Sequence, residues 1–99
     1  MAIRVQRSSG NIFRDLGFSE QQAENLRIRS ELMIRLSKLI EDRGFTQAEA
    51  ARLLGVTQPR ISHLMRGKIQ LFSIDSLIEM LGRAGARVSV VVKQQRQVA

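Results

Sequence analysis

The sequence predicts a mainly α fold of four to five helices followed by one C-terminal β-strand. Three observations lead there. Apolar residues recur at helical spacing from Leu26 to Ile40, from Ala48 to Leu64 and from Ile74 to Ala84. A serine or threonine able to cap a helix opens each helix (Ser19, Thr46, Thr57, Ser73), and a glycine stands near each end (Gly44, Gly55, Gly67, Gly85). The segment A-R-V-S-V-V-V-K, residues 86–93, alternates at the strand period. With 99 residues the chain is one domain, large enough for a modest core without staples.

Residues 1–18 read as an N-terminal arm. Ile3 and Val5 alternate with Arg4 and Gln6, as in a short edge strand. Ser8-Ser9-Gly10-Asn11 is a turn or linker signal. Ile12, Phe13, Leu16 and Phe18 are too apolar for a free tail and are expected to pack on the domain. Residues 1–9 are expected to be mobile or ordered by a partner.

Residues 19–85 carry the helical domain. Ser19 and Gln22 form an S-x-x-Q capping box. Leu26, Leu32, Met33, Leu36, Leu39 and Ile40 then make an apolar stripe, with Met33 as core filler, while charges alternate on the other faces. This helix should end near Arg43-Gly44, after about 24 residues or about 36 Å. Its first turns, Glu20 to Arg29, need something further to pack on: a second subunit or a partner protein.

Residues 46–54 and 57–66 are two short helices. Thr46 and Glu49 form a T-x-x-E capping box, Gly55 stops the first helix, Thr57 caps the second, and Pro59 falls in its first turn, where a missing N–H costs little. Ala50 and Ala51 allow a close crossing, and Val56, Ile61 and Leu64 form the inward stripe of the second helix. Its other face shows Gln58, Arg60, Ser62, His63 and Arg66, with no acid between Thr57 and Lys68. Helix, tight glycine turn and helix at this spacing is a helix-turn-helix.

Arg66-Gly67-Lys68 closes that helix, and Ile69-Gln70-Leu71 crosses to the next, Ser73 to Ala84. There Ile74, Leu77, Ile78, Met80, Leu81 and Ala84 are apolar on more than one face, which predicts heavy burial or a dimer contact. Phe18, Phe45 and Phe72 each precede a cap, the place of a hydrophobic staple, so they are structural. Residues 86–99 are a strand and a polar, basic tail. Val88, Val90 and Val92 share one face of the strand. Its mate is either the Ile3–Val5 segment or the same strand of a second copy, paired across a two-fold axis.

The formal net charge is +7, which points to a polyanion such as nucleic acid. The excess lies in the two ends and the helix-turn-helix. The chain has no Trp, no Tyr and four Phe, too few exposed stacking platforms for a single-strand binder, so duplex DNA is the better match. There is no Cys, which excludes disulfides and thiolate metal sites and suits a reducing cytoplasm. No signal-peptide core or membrane-length apolar run is present, so a cytoplasmic, nucleoid-associated protein is expected. The lone His63, with no Gly-rich phosphate loop and no carboxylate cluster, leaves no catalytic site, no metal site and no cofactor to expect.

The run T-Q-x-E-x-A-x-x-L-G-V-T-Q-P-x-I-S-x-L-x-x-G-K, from Thr46 to Lys68, resembles the Cro/phage-repressor (Xre) helix-turn-helix family. The resemblance implies a lambda-repressor-like domain whose second motif helix enters the major groove. It implies base contacts from Gln58, Pro59, Arg60, Ser62 and His63, with Gln58 suited to adenine, Arg60 to guanine and Pro59 to a thymine methyl. For His63, a base or phosphate contact and a bystander role are both open. Phosphate contacts are expected from Arg43, Gln47, Thr57, Arg66 and Lys68. Many Cro-like domains tie the first helix to the end of the recognition helix with a buried Arg–Glu pair; here Ile40 and Met65 occupy those places, and an apolar pair can substitute with little loss.

The whole architecture, a Cro-like domain followed by a burying helix and a valine-rich strand, resembles HigA/HipB-type antitoxins. That implies a homodimeric repressor of its own operon that reads a palindromic operator and binds a RelE/HigB-like toxin. A dimer interface of Val88, Val90, Val92 and Leu81 is expected. A stand-alone Xre-type regulator, or a toxin-binding module with weak DNA affinity, are the alternatives. For Arg4 and Arg7 in the arm, a solvated terminus and a contact to DNA both stay open.

Overall fold

The computed structural model describes residues 2–6 and 12–94. The elements run β1 (Ala2–Gln6), α1 (Ile12–Asp15), α2 (Glu20–Asp42), α3 (Gln47–Leu54), α4 (Gln58–Met65), a 3-10 turn (Ile69–Leu71), α5 (Ile74–Arg83) and β2 (Arg87–Val91). The turn expected at Ser8–Asn11, Arg7 in the arm, and all but Gln94 of the basic tail lie outside the described residues.

The long helix α2 is the spine of the domain, and α1, α4, α5 and β1 all pack on it. Its start is set locally: Ser19 Oγ accepts the Gln22 N–H at 3.2 Å, and the Gln22 side chain accepts the Ser19 N–H at 3.3 Å. It runs for 23 residues, about 35 Å. Leu26, Leu32, Met33, Leu36, Leu39 and Ile40 are all buried. All of these but Leu26 meet Leu54, Ile61, Leu64, Phe72, Leu77 and Leu81 in one core. Ile40 is in that core and Met65 packs half-buried against it, so the two places are filled by apolar contact. Within Glu20 to Arg29, Ala23 and Leu26 are buried, Arg14 of α1 lies 3.8 Å from Glu20, and Arg29 donates to the 69–72 segment. The surface expected to need a second subunit or a partner is thus covered in part by the chain's own residues.

Alpha5 opens with a capping box between Ser73 and Ser76, each side chain accepting the other's backbone N–H at 3.1 and 3.2 Å. Its burial corrects one expectation. Leu81 is 0% exposed and packs in the core, so it cannot contribute to a dimer surface. The apolar residues at helical spacing face α2 with Leu77, Met80, Leu81 and Ala84, and Ile78 is the one left outward.

The strand β2 finds its mate within the chain. It pairs in parallel with β1, Ile3 opposite Val88 and Val5 opposite Val90. Residues 2–6 are therefore not a mobile arm: they form a strand, and Ile3 is buried in the core. Val88 packs half-buried against that core, whereas Val90 is 63% and Val92 88% exposed. The sheet runs off the helical body, so the valines of one face have unequal surroundings.

Candidate nucleic-acid interface

The motif is built from short-range devices. Thr46 Oγ1 accepts the Glu49 N–H at 3.1 Å, and Glu49 Oε1 accepts the Thr46 N–H at 3.0 Å. The turn to α4 requires Gly55, whose φ of 68° is left-handed. There the Val56 N–H closes a 3.0 Å bond to the Ala51 carbonyl. The Arg83 guanidinium covers this turn, 2.6 Å from where a Cβ on Gly55 would stand. Ala50 and Ala51 are buried at the crossing, as their size predicts. Thr57 Oγ1 then accepts the Arg60 N–H at 3.3 Å and starts α4. That helix ends in a Schellman closure: Gly67 N–H to the Leu64 carbonyl and Lys68 N–H to the His63 carbonyl, both 3.0 Å.

Glu49 is the only acid between residues 43 and 68. The Thr46 backbone N–H, then the Thr46 hydroxyl, and in smaller measure Arg52, hold its carboxyl below the ordinary glutamate value. A carboxylate with a depressed folded-state pKa stabilises the fold above its unfolded pKa and loses that contribution as pH falls through the folded one. The Tm of wild type should therefore exceed that of Glu49→Gln near neutral pH, and the gap should close in acid. A gap independent of pH would remove the ionised cap from the account.

At about 100° per residue, the inward Ile61 and Leu64 place Pro59, Ser62, His63 and Arg66 on the opposite side of α4. Gln58 lies at one margin of that face and Arg60 at the other. Gln58, Pro59 and Arg66 are exposed, and Ser62 and His63 are half-buried. Thr57, Lys68, Arg43 and Gln47 are exposed, with Gln47 at the first position of α3. The Arg43 guanidinium lies toward Gly85, 3.9 Å from a Cβ built there.

Arg60 is the exception among the expected base contacts. Its Nη1 donates to the Leu71 carbonyl at 2.6 Å, and its guanidinium lies 4.1 Å above the Phe72 ring. The structure does not place its guanidinium on the outward side of α4 with Pro59, Ser62 and His63. Its position on the helix, adjoining the inward side, turns it onto the neighbouring segment. Sequence reasoning missed its counterpart, Arg29. Arg29 Nη1 donates to the Ile69 and Phe72 carbonyls at 3.4 and 3.3 Å, and its Nε to Asn25 Oδ1 at 2.7 Å. Backbone carbonyls occur at every residue, so no residue type or spacing announces such a contact; only the i,i+4 pair with Asn25 was legible.

Among the described residues no group of three or more His, Cys, Asp or Glu could hold a metal ion. No helix of the described residues is long and apolar enough to cross a membrane.

Residues 12–93 match a family model described as a helix-turn-helix domain. A solved chain assigned to the XRE family of transcriptional regulators superposes with a TM-score of 0.71 at 30% identity, over 79% of this chain and 91% of that one. No curated protein matches the chain.

Proposed function

The chain belongs to the helix-turn-helix domain family, of the XRE type, and we propose that it is a sequence-specific transcriptional repressor reading a palindromic operator as a homodimer. It is a DNA-binding protein and not an enzyme. The observation that carries the reading is the outward face of α4: Gln58, Pro59, Ser62 and His63 for base edges, Arg66 and Lys68 beside them for phosphates, and no acid between. Arg43, Gln47 and Thr57 are the further phosphate contacts of this proposal. Its working place is the cytoplasm, at the nucleoid, because duplex DNA is the ligand.

The test is fluorescence anisotropy on duplexes from the gene's own promoter. Gln58→Ala and His63→Ala should each lose about 1–3 kcal/mol of discrimination at one base pair per half-site. Unchanged base preference in both variants would sink the assigned reading face.

The setting we propose is the antitoxin of a type II toxin–antitoxin pair, with a RelE/HigB-like toxin as second partner. Its support is apolar surface beyond the needs of DNA binding: Ile12 and Ile34, 66% and 63% exposed, line a hollow of about 430 Å³ between α1 and α2, and Leu16 is 67% exposed. The solved relative's assignment as a regulator favours the alternative, a stand-alone XRE-type protein. Co-purification with a small protein from the adjacent gene separates the two.

A further inference from the structure

A second hollow, of about 460 Å³, lies between α2, α4 and the start of α5. Arg29 and Arg60 line it with Asn25, Gln70, Phe72 and Ser73, and no acid does. We propose that this hollow is a seat for one phosphate group, gripped by Arg29 and Arg60.

Both guanidinium groups are pinned from behind. Arg29 is held through Nε by Asn25 and through Nη1 by two carbonyls of the 69–72 segment. Arg60 is held through Nη1 by the Leu71 carbonyl and by stacking on Phe72, a ring only 1% exposed. The Nη2 of each makes no hydrogen bond to the described residues. Two cations fixed in place with donors unspent, and no carboxylate to neutralise them, suit a compact anion with several acceptor oxygens. Pinning also removes the ordering cost that a free arginine would meet on binding. The first turn of α5, opening at Ser73, adds a favourable dipole of smaller weight.

The seat adjoins the margin of the reading face, because Arg60 belongs to α4 itself. A phosphate there would lie beside the groove that α4 enters and would set the helix's register. In this role Arg60 holds backbone rather than reading guanine. The proposal rests on the DNA-binding reading for the source of the phosphate; free inorganic phosphate is the other source.

The experiment measures affinity against salt for the full chain, on operator and on scrambled duplex. In Arg29→Gln the slope of log K against log salt should fall by about 0.9 per half-site engaged. Affinity should drop alike on both duplexes, with base preference kept. In parallel, melting in inorganic phosphate against chloride at equal ionic strength tests the free ion. A phosphate-dependent rise in Tm that Arg29→Gln abolishes supports the seat without DNA. A folded Arg29→Gln with an unchanged slope and no loss of a phosphate effect overturns it. Should Arg29→Gln fail to fold, Arg60→Gln carries the same test with the same outcomes. Failure of base reading would look different: wild type would show no preference for the operator, whatever the slope.

Discussion

Phe72→Ala should lower the stability of the protein by about 3–5 kcal/mol, enough to unfold much of a domain whose total is about 5–15 kcal/mol. The ring is 1% exposed and sits where α2, α4 and the start of α5 meet. It precedes the Ser73 cap, and Leu77, its staple partner by position, is 0% exposed. Truncation leaves a cavity in a core whose other side chains, Leu64 and Leu77 among them, are already fully buried. It also removes the surface on which Arg60 lies. Phe18→Ala is the control. That ring is 39% exposed and meets Phe13 edge-on at 6.3 Å, a contact on the order of 1 kcal/mol. Denaturant titration of both variants measures the difference. Equal losses would show that the core is not organised around Phe72.

The second large effect concerns assembly. Val90→Asp with Val92→Asp should make the proposed homodimer monomeric and weaken binding to a full operator by about 10²–10⁴-fold, while binding to one half-site changes little. Both valines are exposed at the far end of β2, so the substitutions spare the core. Among the described residues, β2 gives one edge to β1 and is not paired on the other. A two-stranded sheet is marginal alone, and an open apolar edge invites a further strand. Antiparallel pairing with a second copy about Ser89 sets Val88 opposite Val90 and Ala86 opposite Val92 of that copy. Centring on Val90 instead would oppose Arg87 and Lys93, two like charges. Sedimentation of the double variant, beside gel shifts on whole and half operators, is the measurement. A dimer that survives both aspartates would place the assembly surface elsewhere.

Each feature that the bare chain determined depends on residues within a few positions of one another. Helix starts at Ser19, Thr46, Thr57 and Ser73 are settled by a hydroxyl and an N–H three residues on, and the observed caps follow them. The glycine stop at Gly55 and the apolar stripe of α2 are of the same kind, and so is the acid-free face of α4. What only the tertiary structure decided involves partners far apart. The pairing of β1 with β2 joins residues on opposite sides of the whole helical domain, and alternation in either segment says nothing about its mate. Leu81 and Ile78 are alike by residue type; the position of α2 buries one and leaves the other outward. Arg60 presents the same side chain to a sequence reader whether it reaches a base or a carbonyl. The 3-10 turn that carries Leu71, and the Phe72 ring behind it, draw it onto the 69–72 segment, and Gln58, Pro59, Ser62 and His63 stay as the reading face we propose. The reason is physical: caps and turns are satisfied by neighbouring backbone, whereas burial and arginine geometry depend on surfaces that exist only after the chain has closed on itself.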